Sequence, residues 1–419
     1  MDHTAIFGPL AAAGYAVSLR SFSALDRYLG LSSLPFVLAE TNAGVAVLAR
    51  HLEGLRFPGA DIADAAADSG DQTWYFRCVD PDDAEQYRPS FDLLSLAQNW
   101  SIRRFQDPQN VYPLIRKLRD RGKRPIPYSG NRETPPPEQP WWAGVNAAAG
   151  RYEALMDAAV ILARYVDRED DGQDLLPRPA ELLRFLDALA PGLPPKPEAQ
   201  RFLLGSLLVS ARPDRGLELL KAAGFIREFW PELARLDGVD HSKEFHPEGN
   251  VWTHTLETFR YRKPTGHNRG AYDFRLSLGL LLHDSGKPLS ASSGSNRFDG
   301  HAELGARVAR KFLTRLGYEA PLIEDICYLA RNHMLPAALP RLLRLRLAKT
   351  QEILESPLFP TLLELYRCDE SSSFKGLDGY YESSAAYQMY LRNRRNPYRF
   401  ADGTKIGRQH ARGGSHGGG

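Results

Sequence analysis

The stretch Leu-Leu-Leu-His-Asp-Ser-Gly-Lys-Pro, residues Leu280–Pro288, decides how the rest of the chain is interpreted. Its leucines, together with Leu278, predict a buried helical turn that leads directly into His283 and Asp284. Burying a histidine and an aspartate costs free energy unless another group pairs with them, and a divalent ion is such a group. The alternative is a helix C-terminus with a surface histidine, and this stretch alone does not separate the two.

Further candidate ligands flank this pair along the chain. They are His254 in Val-Trp-Thr-His-Thr-Leu, His301 in Gly-His-Ala-Glu-Leu-Gly, His333 in Arg-Asn-His-Met and Asp369 in Tyr-Arg-Cys-Asp. Each one taken singly is more often structural than a ligand. Because each lies in or beside a predicted helix, helices packed side by side could direct all of them into one cavity. Imidazole and carboxylate groups together suit a divalent ion bound as a Lewis acid.

Bulk properties exclude several classes of protein. The chain has 419 residues, which is enough for two or three domains. Its formal net charge of +2 is too small to indicate overall electrostatic attraction to nucleic acid or to a membrane. Its cysteines (Cys78, Cys327 and Cys368) show no paired spacing, which predicts reduced thiols. The start lacks a signal peptide and no apolar stretch is long enough for a bilayer, so the expected location is the cytoplasm.

The pattern along the chain predicts an α+β protein with several segments. Residues 1–125 mix strand-like runs, such as 36–39 and 73–79, with short helical ones such as 43–55, and this favours an α/β head. A proline-rich linker is predicted at 126–150, a helical neck at 151–238, a further helical domain at 239–400 and a disordered tail at 401–419. In the head, Asp61, Asp64 and Asp68 have the spacing of one solvated helix face.

The ligand order resembles that of the HD superfamily of metal-dependent phosphohydrolases. Its core of His, His-Asp and a distant Asp is matched by His254, His283, Asp284 and Asp369, and the extra histidines His301 and His333 match members that bind two metals. The run His-Pro-Glu-Gly-Asn-Val-Trp-Thr-His-Thr, residues 246–255, resembles HD domains attached to bacterial tRNA nucleotidyltransferases.

The HD resemblance implies a specific chemistry. It implies two divalent ions (Mn, Fe, Ni, Co or Mg) that are bridged by Asp284 and activate a water, and therefore hydrolysis of a phosphate ester. Asp284 and Lys287 are the expected catalytic residues, and Lys287 and Arg331 are the expected contacts to the substrate phosphate. The resemblance thus makes phosphate ester hydrolysis the first functional hypothesis.

The layout of head, neck and HD tail also resembles the tRNA nucleotidyltransferase and poly(A) polymerase family. The segments 216–226 and 229–233 are similar to that family's sequence before its HD domain. The family needs two carboxylates spaced Asp-x-Asp on a strand of the head, and Pro35 and Val37 stand there. Leu94 replaces a usual asparagine, and the helix around Asp157 keeps little of the nucleotide-reading motif. This predicts a degenerate head without nucleotidyl transfer.

Three functional hypotheses therefore stand side by side. The first is a phosphohydrolase acting on a nucleotide or RNA, the second a working tRNA nucleotidyltransferase with an auxiliary HD domain, and the third a non-catalytic RNA-binding protein. Arginines at 103–104, 392, 394 and 395, and aromatic residues at 141–142 and 398, could contact RNA, although solvated helix faces explain the charges equally well. The sequence predicts no membrane partner and gives no oligomeric state.

Overall fold

The computed structural model describes residues 3–31, 34, 36–58, 63–69, 72–79, 97–106, 150–165, 179–240, 249–265, 272–290, 298–345, 347–373, 376–396, 398–400 and 404–405. The chain divides into two compact units. The N-terminal unit is Met1–Phe229 with Lys263–Asp273, and the C-terminal unit is Trp230–Arg262 with Phe274–Gly419. Almost all of the predicted linker and tail lies outside the described residues, and the domain boundaries inferred from sequence stay a prediction.

The N-terminal unit contains a mixed β-sheet flanked by short helices. Its described strands are β1 (Val17–Arg20), β2 (Phe36–Thr41), β3 (Ala65–Ser69), β4 (Gln72–Cys78), β5 (Ala97–Asn99) and β6 (Phe105–Gln106), in the order β3-β4-β2-β1-β5-β6. β2 runs parallel to β4, and the other neighbouring pairs are antiparallel. Helices α1 (Thr4–Ala12), α2 (Ser21–Leu29) and α3 (Val45–His51) connect to these strands.

One face of the sheet is closed by apolar packing. On β2 this face carries Val37, Ala39 and Thr41, which are 1%, 0% and 2% exposed. Trp74 of β4 shares the face because it is in register with Val37, and it packs edge-on against Phe7 of α1 with ring centroids 5.2 Å apart. The hydrophobic core of the head therefore lies on this side of β2.

The opposite face of the sheet is partly polar. Glu40 points to it, because successive strand residues alternate between faces, and its side chain is half-buried. Glu40 lies in register with Ser18 on β1 and with Arg77 on β4. A row of polar side chains therefore crosses three neighbouring strands at this level of the sheet.

Helices follow the sheet in the N-terminal unit. They are α4 (Arg151–Tyr165), α5 (Pro179–Ala188), α6 (Pro197–Leu208), α7 (Pro213–Ala222) and α8 (Phe225–Phe229). Proline begins α6 and α7, where its missing N–H leaves no helical hydrogen bond unmade. Arg164 near the end of α4 donates from Nε and Nη2 to the two carboxylate oxygens of Asp26 on α2, both at 2.8 Å. The ion pair ties α4 to the head.

Among the described residues of the C-terminal unit, the longer elements of secondary structure are all helices. Its α-helices are α9 (Pro231–Ala234), α10 (Val251–Thr258), α11 (Phe274–Leu282), α12 (Lys287–Ser290), α13 (His301–Arg315), α14 (Ala320–Asn332), α15 (Leu335–Leu345), α16 (Ala348–Glu355), α17 (Phe359–Ser371) and α18 (Asp378–Arg394). Short 3₁₀ helices occur at Arg235–Gly238 and Phe259–Tyr261. The amphipathic α13 and α14 pack against each other and bury apolar residues such as Phe312 and Ile326.

Two glycines bring the turn after α11 against α13. A Cβ on Gly286 would lie 2.0 Å from the carbonyl oxygen of His301 and 2.4 Å from the amide nitrogen of Gly305. No side chain fits this space, so the backbones are in direct contact. The contact places the His283-Asp284 pair beside the first turn of α13, and therefore beside His301.

The secondary structure predicted from sequence is confirmed in most places. The structure has strands at 36–41 and 72–78 and helices at 151–165 and 179–188, and the mixed α+β fold class is confirmed. The helix predicted at 43–55 is shorter, spanning Val45–His51. The predicted helix face of Asp61, Asp64 and Asp68 is wrong, since Asp68 lies on β3 and Asp64 just before it, while Asp61 is outside the described residues. Within the described residues, no helix has the length and apolar character needed to cross a membrane.

Candidate metal centre

Helix ends in the C-terminal unit hold the predicted ligands. His254 lies in the first turns of α10, whose N-cap residue Asn250 accepts a hydrogen bond from the backbone N–H of Thr253 at 2.9 Å. His283 and Asp284 follow directly after α11, and His301 is the first residue of α13. His333 follows α14, and Asp369 lies on α17.

Three of the histidines are oriented by their own backbone. The Nδ1 atom of each ring donates to a carbonyl three residues earlier: His283 to Leu280 at 2.7 Å, His301 to Phe298 at 2.6 Å and His333 to Ala330 at 2.7 Å. A carbonyl oxygen accepts only, so Nδ1 carries the hydrogen and Nε2 of the neutral ring has a lone pair. This orientation is typical of histidines that bind a metal through Nε2.

The Nε2 atoms of these rings lack suitable protein partners. Nε2 of His283 is buried and forms no hydrogen bond of normal geometry with the described residues. The Nε2 atoms of His301 and His333 face each other at 3.1 Å. Two lone pairs at this distance repel, but a shared cation removes the repulsion. Two nitrogens that bind one ion in adjacent octahedral positions, each at about 2.1 Å, are separated by roughly 3.0 Å.

Asp284 lies between two groups of nitrogen atoms. Its Oδ2 is 3.2 Å from Nε2 of His283 and 4.0 Å from Nε2 of His254. Its Oδ1 is 3.6 Å from Nε2 of His301 and 3.7 Å from Nε2 of His333. The two possible metal-binding groups, His254-His283-Asp284 and Asp284-His301-His333, therefore share one carboxylate and use different oxygens of it.

Asp369 belongs to the first group by its contacts. Its Oδ1 is 2.9 Å from Nε2 of His254 and 3.9 Å from Nε2 of His283. The ligands of this group come from α10, the turn after α11, and α17, which are far apart in sequence. The structure thus brings all six predicted ligands together, as the sequence order suggested.

Burial and charge set the ionisation of the ligands. Burial alone would raise the pKa of Asp284, but His283 and Lys287 hold it well below its ordinary value. Burial lowers the pKa of His333 to about 4 and also lowers that of His301. Both rings are therefore neutral near pH 7, which is the form that donates a lone pair to a cation. The residues present fit a divalent metal ion.

The two predicted phosphate contacts are already paired with acids. Nζ of Lys287 donates to Oδ2 of Asp284 at 2.5 Å, and its side chain is 12% exposed. Nε of Arg331 donates to Oε2 of Glu303 at 2.8 Å on the surface. Lys287 thus lies in the cluster and Arg331 outside the two metal-binding groups. Their roles toward a substrate stay predictions.

Ser372 also lies at this cluster, and its place there was not predicted from the sequence. Its hydroxyl lies 3.4 Å from Nδ1 of His254 and donates to the carbonyl oxygen of Asp369 at 2.7 Å. The run Ser371-Ser372-Ser373 directly after a candidate ligand was the available signal, since serine hydroxyls bond to nearby backbone and side chains.

Residues 251–357 match the family model described as HD domain, a range that contains every predicted ligand except Asp369. Over 155 residues the chain is 35% identical to the CC-adding tRNA nucleotidyltransferase of Thermus thermophilus. The aligned segment covers 36% of this chain and 34% of that protein. It is 33% identical over 129 residues to the multifunctional CCA protein of Halorhodospira halophila, which is 30% and 29% of the two chains. The chain thus spans about a third of the length of the curated relatives it matches.

The chain was also compared with solved structures. A CCA-adding enzyme in complex with ATP aligns with a TM-score of 0.41 and 11% identity, covering 93% of this chain and 82% of that chain. A likeness at this level supports no conclusion about activity.

These comparisons correct the first functional hypothesis. The relatives named above are a tRNA nucleotidyltransferase and a CCA protein; another, from Ruegeria pomeroyi, is a bifunctional uridylyltransferase/uridylyl-removing enzyme, and the HD match by itself does not specify hydrolysis. The expectation of hydrolysis as the main activity, and of a head without nucleotidyl transfer, is therefore wrong. The second expectation was based on Pro35 and Val37, but Val37 faces the core of the head and Pro35 is outside the described residues.

Proposed function

We propose that this protein is a tRNA nucleotidyltransferase of the CC- or CCA-adding kind, and that its HD domain carries a divalent-metal centre. The observation that carries the proposal is the similarity to the Thermus thermophilus CC-adding enzyme at 35% identity over 155 residues. The substrates of the proposed reaction are a tRNA 3′ end and a nucleoside triphosphate.

Nucleotidyl transfer requires acidic groups that hold metal ions at the triphosphate. In the head, Glu40 is the acidic residue of β2 on the partly polar face, in register with Ser18 and Arg77. Carboxylate and hydroxyl oxygens suit Mg²⁺, and an arginine suits phosphate. We assign Glu40 as a metal-holding acid of the head.

The six ligands of the C-terminal unit support a second set of metal ions. His254, His283, Asp284 and Asp369 would hold one ion, and Asp284, His301 and His333 a second. Ions bound there supply positive charge to phosphate oxygens of RNA or nucleotide. We expect about two divalent ions per chain. Elemental analysis after reconstitution with Mn, Fe, Ni, Co or Mg measures this, and a metal content of zero would contradict it.

The neighbours of Glu40 on β2 limit this strand to one acid at the proposed site. Phe36 and Leu38, which share the face of Glu40 on β2, are apolar and only 5% and 6% exposed. Phe36 packs against Phe202 of α6 with ring centroids 3.8 Å apart. A single carboxylate on this strand replaces the pair that a two-ion site ordinarily uses.

Incubation with defined tRNA transcripts tests the proposed reaction. Transcripts that end at the discriminator base, at C and at CC are combined with labelled CTP or ATP and Mg²⁺ or Mn²⁺. The proposed enzyme extends at least one of them, and the transcript that is extended reveals which nucleotides are added. The matched variant Glu40→Gln should lose extension while tRNA binding, measured by filter retention, stays unchanged.

The other outcomes are equally informative. Binding of all three transcripts without extension by the wild-type protein would reject the proposed reaction and leave only tRNA binding. Extension that is insensitive to Glu40→Gln would keep the reaction but reject this acid as a metal holder. The absence of both binding and extension would reject both the reaction and its tRNA substrate.

A further inference from the structure

His254 is oriented differently from the other three histidines of the metal centre. His283, His301 and His333 each donate from Nδ1 to a backbone carbonyl of their own chain segment, three residues earlier. Nδ1 of His254 instead faces the hydroxyl of Ser372, 118 residues away, at 3.4 Å. The orientation of this one ring therefore involves a side chain at the end of another helix.

The hydroxyl of Ser372 is itself held in place. It donates its hydrogen to the carbonyl oxygen of Asp369 at 2.7 Å, and the residue is 8% exposed. Because that hydrogen is engaged, the hydroxyl oxygen presents lone pairs to Nδ1 of His254. Ser372 therefore accepts a hydrogen bond from His254 when the ring carries its hydrogen on Nδ1.

The position of this hydrogen decides whether His254 can bind a cation. Nε2 of His254 lies 2.9 Å from Oδ1 of Asp369. With the hydrogen on Nε2, the ring donates a hydrogen bond to Oδ1 of Asp369. Nε2 and Oδ1 are then paired with each other and not with a cation. With the hydrogen on Nδ1, the lone pairs of Nε2 and Oδ1 both face the first metal-binding group.

We propose that Ser372 is a positioning residue that stabilises the Nδ1–H form of His254 and thereby opens one of the two metal positions. The second position uses His301 and His333, whose tautomers are fixed by backbone carbonyls. Ser372 therefore controls one ion and not the other. This inference rests on the metal centre of the proposed function, and it requires no particular reaction.

The test is stepwise metal binding to the full-length chain, measured by calorimetry with Mn²⁺ or Co²⁺. We expect Ser372→Ala to weaken one of two binding steps by about 10- to 100-fold, the usual effect of losing a partner of a metal ligand, and to leave the other step within about twofold. Ser372→Thr keeps the hydroxyl and should restore the weakened step.

Ser371 provides the matched control. Its hydroxyl also donates to a backbone carbonyl on α17, that of Arg367 at 2.7 Å, and it makes no hydrogen bond to a ligand histidine. Ser371→Ala thus removes an equivalent helix-end hydrogen bond. Both binding steps should be unchanged in this variant if the effect of Ser372 acts through His254.

A spectroscopic readout separates positioning from a general structural role. In the protein loaded with Zn²⁺, ¹⁵N NMR of the imidazoles should show a slowly exchanging Nδ1–H on His254 in the wild type and in Ser372→Thr. The signal should broaden in Ser372→Ala, while those of His301 and His333 stay sharp. Thermal unfolding of the metal-free variants should be the same as that of the wild type.

Several results would overturn the proposal. Wild-type affinity for both ions in Ser372→Ala would remove the role of Ser372 and leave the metal centre intact. An equal loss at both steps, or the same loss in Ser371→Ala, would show a structural effect only. Failure of the wild-type chain to bind any ion would remove the metal centre itself, and this inference with it.

Discussion

Two buried aspartates, Asp26 in the N-terminal unit and Asp284 in the C-terminal unit, have opposite surroundings. Asp26 is 1% exposed and Asp284 is 2% exposed. Asp26 accepts two hydrogen bonds from Arg164 at 2.8 Å and one from the hydroxyl of Tyr165 at 2.9 Å. Both of its oxygens thus have strong donors from the protein, and the bidentate pair is the geometry that Arg and carboxylate prefer.

The surroundings of Asp284 contain nitrogen atoms that are not donors. Lys287 provides one strong hydrogen bond at 2.5 Å. The other nearby nitrogens include Nε2 of His301 and His333, which have lone pairs in the neutral rings because Nδ1 carries the hydrogen. A buried carboxylate surrounded by lone pairs is stabilised by a cation. A carboxylate surrounded by hydrogen-bond donors already has partners for its oxygens and needs no ion. The burial of an acid therefore does not identify a site, but the chemistry of its neighbours does.

The largest effect is expected from removing the shared carboxylate of the metal centre. Asp284→Ala should abolish binding of both ions, because Oδ1 and Oδ2 face different groups of ligands. Elemental analysis of reconstituted protein should give close to zero ions per chain instead of about two. The matched control Asp299→Ala changes an exposed acid nearby and should keep the full metal content. Retention of both ions in Asp284→Ala would reject the shared-carboxylate geometry.

The matching substitution in the head should affect stability and not metal. Asp26→Asn leaves the guanidinium of Arg164 buried without its counter-charge, and breaking such a pair typically costs about 3–5 kcal/mol. Burial would lower the pKa of Arg164, but Asp26 raises it, so the guanidinium is charged in the pair. Urea unfolding measures the loss, and metal content should equal that of the wild type.

A control for this substitution is available in the same unit. Asp68 pairs with Arg56 on the surface at 2.6 Å, with side chains 59% and 52% exposed. Asp68→Asn should change the free energy of unfolding by no more than about 1 kcal/mol. If Asp26→Asn changed the free energy of unfolding as little as Asp68→Asn, the ion pair with Arg164 would not stabilise the fold.

Glu40 of the head is a third acid, and it is half-buried, whereas Asp26 and Asp284 are fully buried. Glu40→Gln should lower the rate of nucleotide addition by about 100-fold or more, because an amide holds a metal ion more weakly than a carboxylate. Steady-state extension of a tRNA transcript measures the rate, and the metal content of the C-terminal unit should not change. Glu53→Gln, which alters an exposed acid of the head, serves as the matched control.

The smallest of the expected effects tests how the metal ligands are brought together. Gly286→Ala should destabilise the protein by about 1–3 kcal/mol, because the new Cβ would lie 2.0 Å from the carbonyl oxygen of His301. The shift should also weaken metal binding, since His301 and Asp284 move apart. Gly238→Ala is the control, because a Cβ there meets no atom within 4 Å. Unfolding curves of the two variants that coincide would contradict the close backbone contact.

The two aspartates were also unequally predictable. His283 and Asp284 stood out because a polar pair follows a leucine run, a local pattern that is visible without a fold. Asp26 and Arg164 are 138 residues apart, and neither showed a pattern that points to the other. The arginine at the end of the apolar run in α4 was the signal available, since a charge on a buried helix face needs a partner.

The prediction for the head failed for a related reason. Strand β2 was located correctly, but Pro35 and Val37 were taken as the positions that hold metal ions. The residues of a strand alternate between faces, and a shift of one residue moves a side chain from the apolar face of the sheet to the partly polar face. Which face is apolar depends on the helices that pack on the sheet, and this is decided by contacts such as that between Trp74 and Phe7.

The sequence by itself determined the kinds of ligands, their order along the chain and the helices that carry them, because helical periodicity and side-chain chemistry are local properties. The hydrogen bonds of the histidines after α11 and α14 to carbonyls three residues earlier are local as well, although the structure was needed to see them. Only the tertiary structure decided that Asp284 divides its oxygens between two groups, that Ser372 contacts His254, and that Glu40 faces the partly polar side of the sheet. These relations join residues far apart in sequence, so they depend on how helices and strands pack and cannot be derived from the spacing of residues alone.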